Sequence, residues 1–286
     1  MANRISVEIK PIDERNIGDL VRMKEQFHWN QTSDDIKNIL KVTPDGSFAA
    51  YIDGNMVGTI TTIKYGLDLA WIGMMMVDPN HRRRGIASRL METALKYLDA
   101  SGVKEVKLDA TPEGYPLYES FGFIPECSIE RWECNSVTGM RKVSESLDES
   151  EFPALRELDR IAFGADRWTL LNILAKGSDP LITPMVSKSK SGKLDGYAFA
   201  RRGSNAWYAG PIVAATQDAA ISLLNTIMAC LRNEKLYIDY NTGFKLDPAF
   251  FPSCGFKKQR ELTRMCLGKS GKTSDIVFGI AGPELG

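Results

Sequence analysis

The chain has 286 residues, 43% hydrophobic and 25% charged, an ordinary globular balance that excludes disordered, collagen-like and low-complexity classes. Thirty-six Lys and Arg cancel thirty-six Asp and Glu. That argues against a polyanion binder relying on bulk positive charge, though a local basic patch remains open. At roughly 150 residues per domain, the length predicts about two domains.

Five cysteines, at 127, 134, 230, 254 and 266, form no C-x-x-C, so neither a zinc ribbon nor a disulfide framework is expected. With only His28 and His81, and no H-x-x-x-H, metal catalysis is not expected either. The N-terminus lacks an apolar signal core, and the most apolar stretch, residues 70–77, is far short of the roughly 18 residues of a membrane span. The expectation is a soluble cytoplasmic protein without a membrane partner.

Residues 4–10 alternate as a strand. Asp13 is placed to cap a helix carrying Ile17, Leu20, Val21 and Phe27, and Ser33 a second through Ile36, Ile39 and Leu40. Strands follow over 47–52 and 56–64, joined at Asp53-Gly54, with a third over 69–77. Asp78-Pro79 breaks that strand. A basic turn then opens an amphipathic helix with Ile86, Leu90, Ala94, Tyr97 and Leu98 on one face, ending at Gly102. A buried strand over 103–110, a short helix over 115–121 and two strands near Phe123 and over 129–133 complete this half.

Polar residues 135–149 place a boundary near residue 140. Beyond it the order repeats weakly at about 135 residues. A helix capped by Ser150 is followed by a shorter helix over 167–175, a hairpin near 188–193 and a strand over 207–213. A helix capped by Thr216, a strand over 236–240 and a second Gly-Phe at 255–256 complete the repeat.

The chemistry is carried by residues 77–87, Val-Asp-Pro-Asn-His-Arg-Arg-Arg-Gly-Ile-Ala. A strand end, a turn and a helix start come in the order that suits a pyrophosphate. The first N–H groups of a helix are unpaired, and its dipole adds partial positive charge there. Gly85 lets the backbone approach, and Arg82, Arg83 and Arg84 supply counter-charge.

With Arg82-x-x-Gly85-x-Ala87 and, some thirty residues later, Leu117-Tyr118-Glu-Ser-Phe-Gly-Phe123, the sequence resembles the GNAT acetyltransferase superfamily. The whole chain is similar to a subgroup in which a divergent second GNAT-like domain follows the first. The resemblance implies an α/β (α+β) fold with mixed, mostly antiparallel sheets flanked by helices in two tandem domains. Residues 1–138 would form the acetyl-CoA-binding catalytic domain and 139–286 a domain without the CoA motif.

It further implies acetyl transfer from acetyl-CoA to a primary amine by direct attack. Main-chain groups of Met75, Met76 and Val77 would pair with the pantetheine, and the turn Arg82, Arg83, Arg84, Gly85, Ile86, Ala87 and Ser88 would hold the pyrophosphate. Tyr118 would be the general acid, a chemically sensible role for a hydroxyl that stays protonated at neutral pH. For a base the sequence marks nothing; Asp34, Asp35, Glu130 and Glu133 are candidates. Candidate acceptor contacts are His28, Trp29 and Asn30 between the first two helices, and Asp239, Tyr240 and Arg264 in the second half.

Aligning the Gly-Phe marks puts Phe251, which has no proton to give, in the place of Tyr118. Residues 214–218 lack arginine and glycine and include Asp218, so the second half is not expected to bind CoA. Gly271-Lys272-Thr273 ends like a P-loop, but Cys266 stands where its first glycine belongs. The alternative function is a non-catalytic acetyl-CoA-binding regulator. A nucleic-acid module built on Arg82–Arg84 lacks basic–aromatic interleaving. The acceptor, a small-molecule or peptide amine, and the oligomeric state are not legible.

Overall fold

The computed structural model describes residues 6–138, 144–177, 179, 183–268 and 274–286. The boundary expected near residue 140 and Gly271-Lys272-Thr273 lie outside these.

The first half runs β1 (Glu8–Pro11), α1 (Ile17–Glu25), α2 (Ser33–Val42), β2 (Phe48–Ile52), β3 (Asn55–Tyr65), β4 (Leu69–Val77), α3 (Ile86–Ala100), β5 (Glu105–Ala110), α4 (Tyr115–Ser120) and β6 (Ile124–Cys134). The second half repeats it as β7 (Glu145–Ser146), α5 (Phe152–Phe163), α6 (Trp168–Lys176), β8 (Met185–Lys188), β9 (Leu194–Arg202), β10 (Trp207–Ala214), α7 (Gln217–Cys230), β11 (Leu236–Asn241), α8 (Phe250–Ser253) and β12 (Lys257–Gly268), then adds β13 (Val277–Gly279). Among the described residues no helix is long and apolar enough to cross a membrane.

Helix starts follow side-chain chemistry. Asp13 caps the turn before α1, as expected. Thr32 rather than Ser33 caps α2: its hydroxyl accepts from Asp35 N, while the Asp35 carboxylate accepts from Thr32 N, a reciprocal box. Asp148 rather than Ser150 does the same before α5, with Glu151 as its partner. The two strands expected between 123 and 133 are one, β6, because β12 pairs along it from Ile124 to Glu133.

The thirteen strands of the described residues form one sheet, ordered β1-β2-β3-β4-β5-β12-β6-β11-β13-β10-β9-β8-β7. The halves exchange their last strands. β12, from the second half, lies between β5 and β6, while β6, from the first, lies between β12 and β11. Side-chain alternation separates two faces. On one, Ala70, Ile72, Leu108 and Met265 pack under α3 and α4, and α7 and α8 cover the second half. On the other, Leu69 and Trp71 pack under α1, α2 and α6, continued by Ile129 and Leu262 under α5 and α6.

Candidate active site

β4 and β5 run parallel but pair only at Leu69↔Glu105, Ala70↔Val106 and Trp71↔Lys107. Beyond Trp71 they separate, opening a wedge in the sheet. β4 bends there because of a bulge: against β3, the register shifts between Thr59, opposite Met76, and Thr61, opposite Gly73. Met74 takes φ 46°, and Thr59 Oγ1 donates to its carbonyl at 2.8 Å. Met74 and Met76 face the α1/α2 core, whereas Met75 faces α3. The main chain of residues 75–77 therefore lines the wedge.

β4 ends at Val77, and the Asp78 carboxylate accepts from Asn80 N at 2.8 Å, forming the turn. Arg83 (φ 61°) and Gly85 (φ 75°) adopt left-handed backbone before α3. Gly85 is the N-cap of α3 and offers no side-chain acceptor, so the first-turn N–H groups of Ile86, Ala87 and Ser88 point outward uncapped. The space where a Cβ of Gly85 would stand is open, with no atom within 4 Å. Arg82 is not wholly free: its guanidinium lies 5.6 Å from the Phe27 ring centre and its Nε donates to Val77 O at 3.4 Å. The turn thus presents unpaired donors and the positive end of a helix dipole to the open space beside it, a setting that suits an anion.

Tyr118 sits on α4, 8% exposed, edge-on to Phe123 at 6.3 Å. Burial raises its pKa well above the usual phenol range. Its hydroxyl donates to no described residue.

The second half has the same parts, closed. Phe123 N bonds to Tyr118 O (3.2 Å) and Phe256 N to Phe251 O (2.9 Å), so the Gly-Phe marks are equivalent and Phe251 does stand where Tyr118 does. β10 and β11 pair in parallel at Trp207↔Leu236, Tyr208↔Tyr237 and Ala209↔Ile238, then part. Here β13 fills the opening, pairing with β10 at Ile212↔Gly279 and with β11 at Tyr240↔Gly279. Phe278 of β13 stacks on Phe251 at 6.0 Å. The start of α7 is also sealed, since Thr216 accepts from Ala219 N and Asp218 occupies the first turn.

The expected acceptor residues are not gathered in one place. Asn30 Oδ1 accepts from Asn205 N and Ala206 N (2.9 and 3.0 Å), and its Nδ2 donates to Ala206 O. It clamps the halves together. The carbonyls of His28 and Trp29 accept from Asn205 Nδ2, and the Trp29 ring packs on Phe27. Asp239 is fully buried, held by Arg131 (2.8 and 2.5 Å) and the Tyr208 hydroxyl (3.0 Å). Burial pushes its pKa up, but Arg131 outweighs that and holds it below the carboxylate range. The Tyr240 hydroxyl donates to Phe244 O. Arg264 alone approaches the wedge: it pairs with Asp109 at 2.9 Å and lies 4.5 Å over the Trp71 ring.

The carboxylates considered as bases each take part in an ion pair. Asp34 pairs with Lys37, Asp35 with Arg201, Glu130 with Lys258 and Glu133 with Lys235. Sequence reasoning missed the chain's last segment. Along the α1/α2 face of β4, Pro283 O accepts from Trp71 Nε1 (2.9 Å) and Leu285 O from the Tyr65 hydroxyl (2.5 Å). A Cβ on Gly73 would come within 2.6 Å of Glu284 Cα. The Glu284 carboxylate, 2% exposed, accepts from Gln31 Nε2 at 2.6 Å, and burial raises its pKa. The only signals for this segment in the sequence are Gly73, inside a strand, and the apolar run before Gly282.

A parallel strand pair that opens beside a bulge and leads into a glycine-started helix is the architecture of the GNAT acyltransferases, and the second half carries a filled version of it. The profile of the Acetyltransferase (GNAT) family matches residues 15–123, and that of an Acetyltransferase (GNAT) domain matches residues 155–278. The chain is 28% identical over 228 residues to the uncharacterized N-acetyltransferase YitH of Bacillus subtilis, covering 78% of each. It superposes on a proposed acetyltransferase from Pyrococcus horikoshii with TM-score 0.80 and 24% identity, covering 98% of this chain and 96% of that one. A tandem GNAT protein from the clavulanic acid pathway shares the fold at TM-score 0.63 and 14% identity, covering 93% and 100%. This chain belongs to the GNAT superfamily and is an acyltransferase with two GNAT domains in tandem.

Proposed function

We propose that the first half transfers the acetyl group of acetyl-CoA to a primary amine by direct attack, and that the second half binds no CoA. The observation that carries this reading is the contrast between two equivalent places. The β4/β5 wedge is open and leads to an uncapped α3, whereas β13 fills the β10/β11 wedge and Thr216 caps α7.

In this reading residues 1–138 hold the catalytic machinery and 139–286 the divergent domain, with β12 crossing into the first. N–H groups of Arg83 to Ser88 hold the pyrophosphate. Main-chain groups of Met75, Met76 and Val77 pair with the pantetheine amides and polarise the thioester carbonyl. The neutral amine nitrogen attacks the carbonyl carbon and the C–S bond breaks. The departing thiolate takes the Tyr118 proton, and the ammonium formed on the product gives up its own to solvent or a base. The five cysteines are free thiols, in keeping with a reducing cytoplasm.

Titration calorimetry with acetyl-CoA, together with thiol release over a panel of amines, tests the proposal. One CoA per chain and amine-dependent thiol release are expected. Two CoA per chain would refute the closed second site; binding without thiol release toward any amine would turn the reading to a regulator.

A further inference from the structure

β5 ends at Ala110, which pairs with Thr263 of β12, but β12 extends further. Its residues 260–262 pass the end of β5 toward the open end of the wedge, still paired with β6 at Arg260↔Arg131, Glu261↔Glu130 and Leu262↔Ile129. Counting on from Trp71↔Lys107 through Ala110↔Thr263 puts Arg260 level with Val77, the last residue of β4. Alternation along β12 sets Arg260 with Leu262 and Arg264 on the α1/α2 face. Arg260 thus flanks the open wedge on the side away from β4, at the level of the main chain of residues 75–77.

Arg131, Arg167, Arg201 and Arg264 are each paired with a carboxylate. Arg260 differs from them. Its Nε is buried without a hydrogen-bond partner, and among the described residues no carboxylate pairs with it. The acids whose charge acts on it are already engaged: Asp239 is held by Arg131 and Tyr208, Glu284 by Gln31 and Arg201. Burial and the adjacent Arg131 guanidinium lower the Arg260 pKa, and Asp239 and Glu284 pull it the other way without restoring it. Arginine nonetheless stays a cation in proteins, and such a charge costs free energy until an anion meets it. The amide oxygen of Gln31, whose nitrogen donates to Glu284, is likewise buried without a partner. One unmet donor and one unmet acceptor complement a molecule that carries both a carboxylate and an N–H.

Resting on the acetyl-transfer reading above, we propose that Arg260 binds the anionic group of the acceptor, and that the acceptor is a small primary amine bearing a carboxylate. In that reading the phosphates of CoA lie at the start of α3, which packs on the opposite face of the sheet, so Arg260 is left for the second substrate. A single guanidinium matches a single carboxylate in its bidentate geometry. A dianion is disfavoured, because Asp239, kept ionised by Arg131, would repel its second charge. An amine held by its carboxylate at Arg260 presents its nitrogen across the wedge toward residues 75–77, where the thioester carbonyl is polarised.

The test compares full-length wild type, Arg260→Met and Arg260→Lys in thiol release from acetyl-CoA. The acceptors are carboxylate-bearing amines and their decarboxylated counterparts, phenylalanine with phenethylamine and 6-aminohexanoate with pentylamine. Wild type is expected to prefer at least one acid to its counterpart. Arg260→Met should raise the KM of that acid about tenfold or more, leave the plain amine within about twofold, and leave acetyl-CoA affinity unchanged. Arg260→Lys, which keeps the charge, should recover part of the loss. Thermal unfolding separates a structural role: with no partner to strand, Arg260→Met should be at least as stable as wild type. Preference for the plain amines, an equal loss for both members of a pair, or a marked fall in stability overturns the assignment. If wild type releases no thiol with any amine, the transfer reading fails, and calorimetry of the acids with CoA present then decides Arg260. Binding that Arg260→Met weakens supports the assignment; binding unaffected by that change, or none, overturns it.

Discussion

Arg131 on β6 and Asp239 on β11 are register partners and share a bidentate buried ion pair, and Arg264 and Asp109 repeat it with the halves reversed. Each arginine lies on an exchanged strand and each aspartate on the strand that receives it. The pairs therefore lock the exchange at two places related by the repeat. The guanidiniums lie 6.0 Å from the ring centre of Tyr208 and 4.5 Å from that of Trp71, the equivalent aromatics of β10 and β4.

Removing one partner leaves a buried charge without compensation. Arg131→Ala is expected to destabilise the fold by about 3–5 kcal/mol, and Arg131→Met combined with Asp239→Leu to recover much of that loss. Urea unfolding of the three proteins measures both. A single substitution costing less than about 1 kcal/mol would mean that the pair does not secure the exchange.

Gly85 combines a left-handed backbone with open space beside the uncapped start of α3. Gly85→Ala should strain the turn by roughly 1 kcal/mol. Gly85→Glu should add a carboxylate where the pyrophosphate would sit and abolish measurable acetyl-CoA binding. Calorimetry on folded protein, confirmed by circular dichroism, reads the difference. Unimpaired binding by Gly85→Glu would remove the turn from the site.

Tyr118→Phe keeps the ring packing against Phe123 and deletes the proton. Turnover should fall roughly 10²–10⁴-fold with acetyl-CoA affinity nearly unchanged. Since burial raises the tyrosine pKa, the hydroxyl stays protonated across neutral and mildly alkaline pH. The wild-type rate should show no loss from this group up to about pH 10. A kcat equal to wild type would refute the acid role.

Burial raises the Glu284 pKa in the folded chain, with Arg201 offsetting part of the effect. The folded state then binds more protons than the unfolded one above the ordinary glutamate pKa of about 4.3. Stability from this group is complete below that value and is lost as pH rises through the raised one. Glu284→Gln should flatten that decline. Unfolding free energies of both proteins between pH 4 and 8 give the slopes. Parallel curves would show that Glu284 titrates normally.

The informative parts of the sequence were contiguous. The turn from Val77 to Ala87 lies within eleven residues, and Leu117 to Phe123 within seven, so local patterns of glycine, charge and apolar spacing sufficed to place them and the helices around them. The same holds for Phe251, marked by its distance from Gly255-Phe256. β12 and β13 escaped because no short-range pattern says which strand a segment will join. The ion pairs of the base candidates were illegible for a related reason: a carboxylate in sequence carries no sign of the arginine or lysine that will pair with it, as Arg201 does with Asp35 across 166 positions.

By itself the sequence showed two repeats of one architecture, of which only the first carries Arg82-x-x-Gly85-x-Ala87 and a tyrosine before its Gly-Phe mark. Only the tertiary structure decided that the repeats trade their last strands and that β13 closes the second wedge. Each of these joins residues far apart in the chain, 108 positions for Arg131 and Asp239 and 155 for Arg264 and Asp109. Such pairings are selected by the burial of whole faces and the matching of buried charges, which exist only once the sheet is assembled.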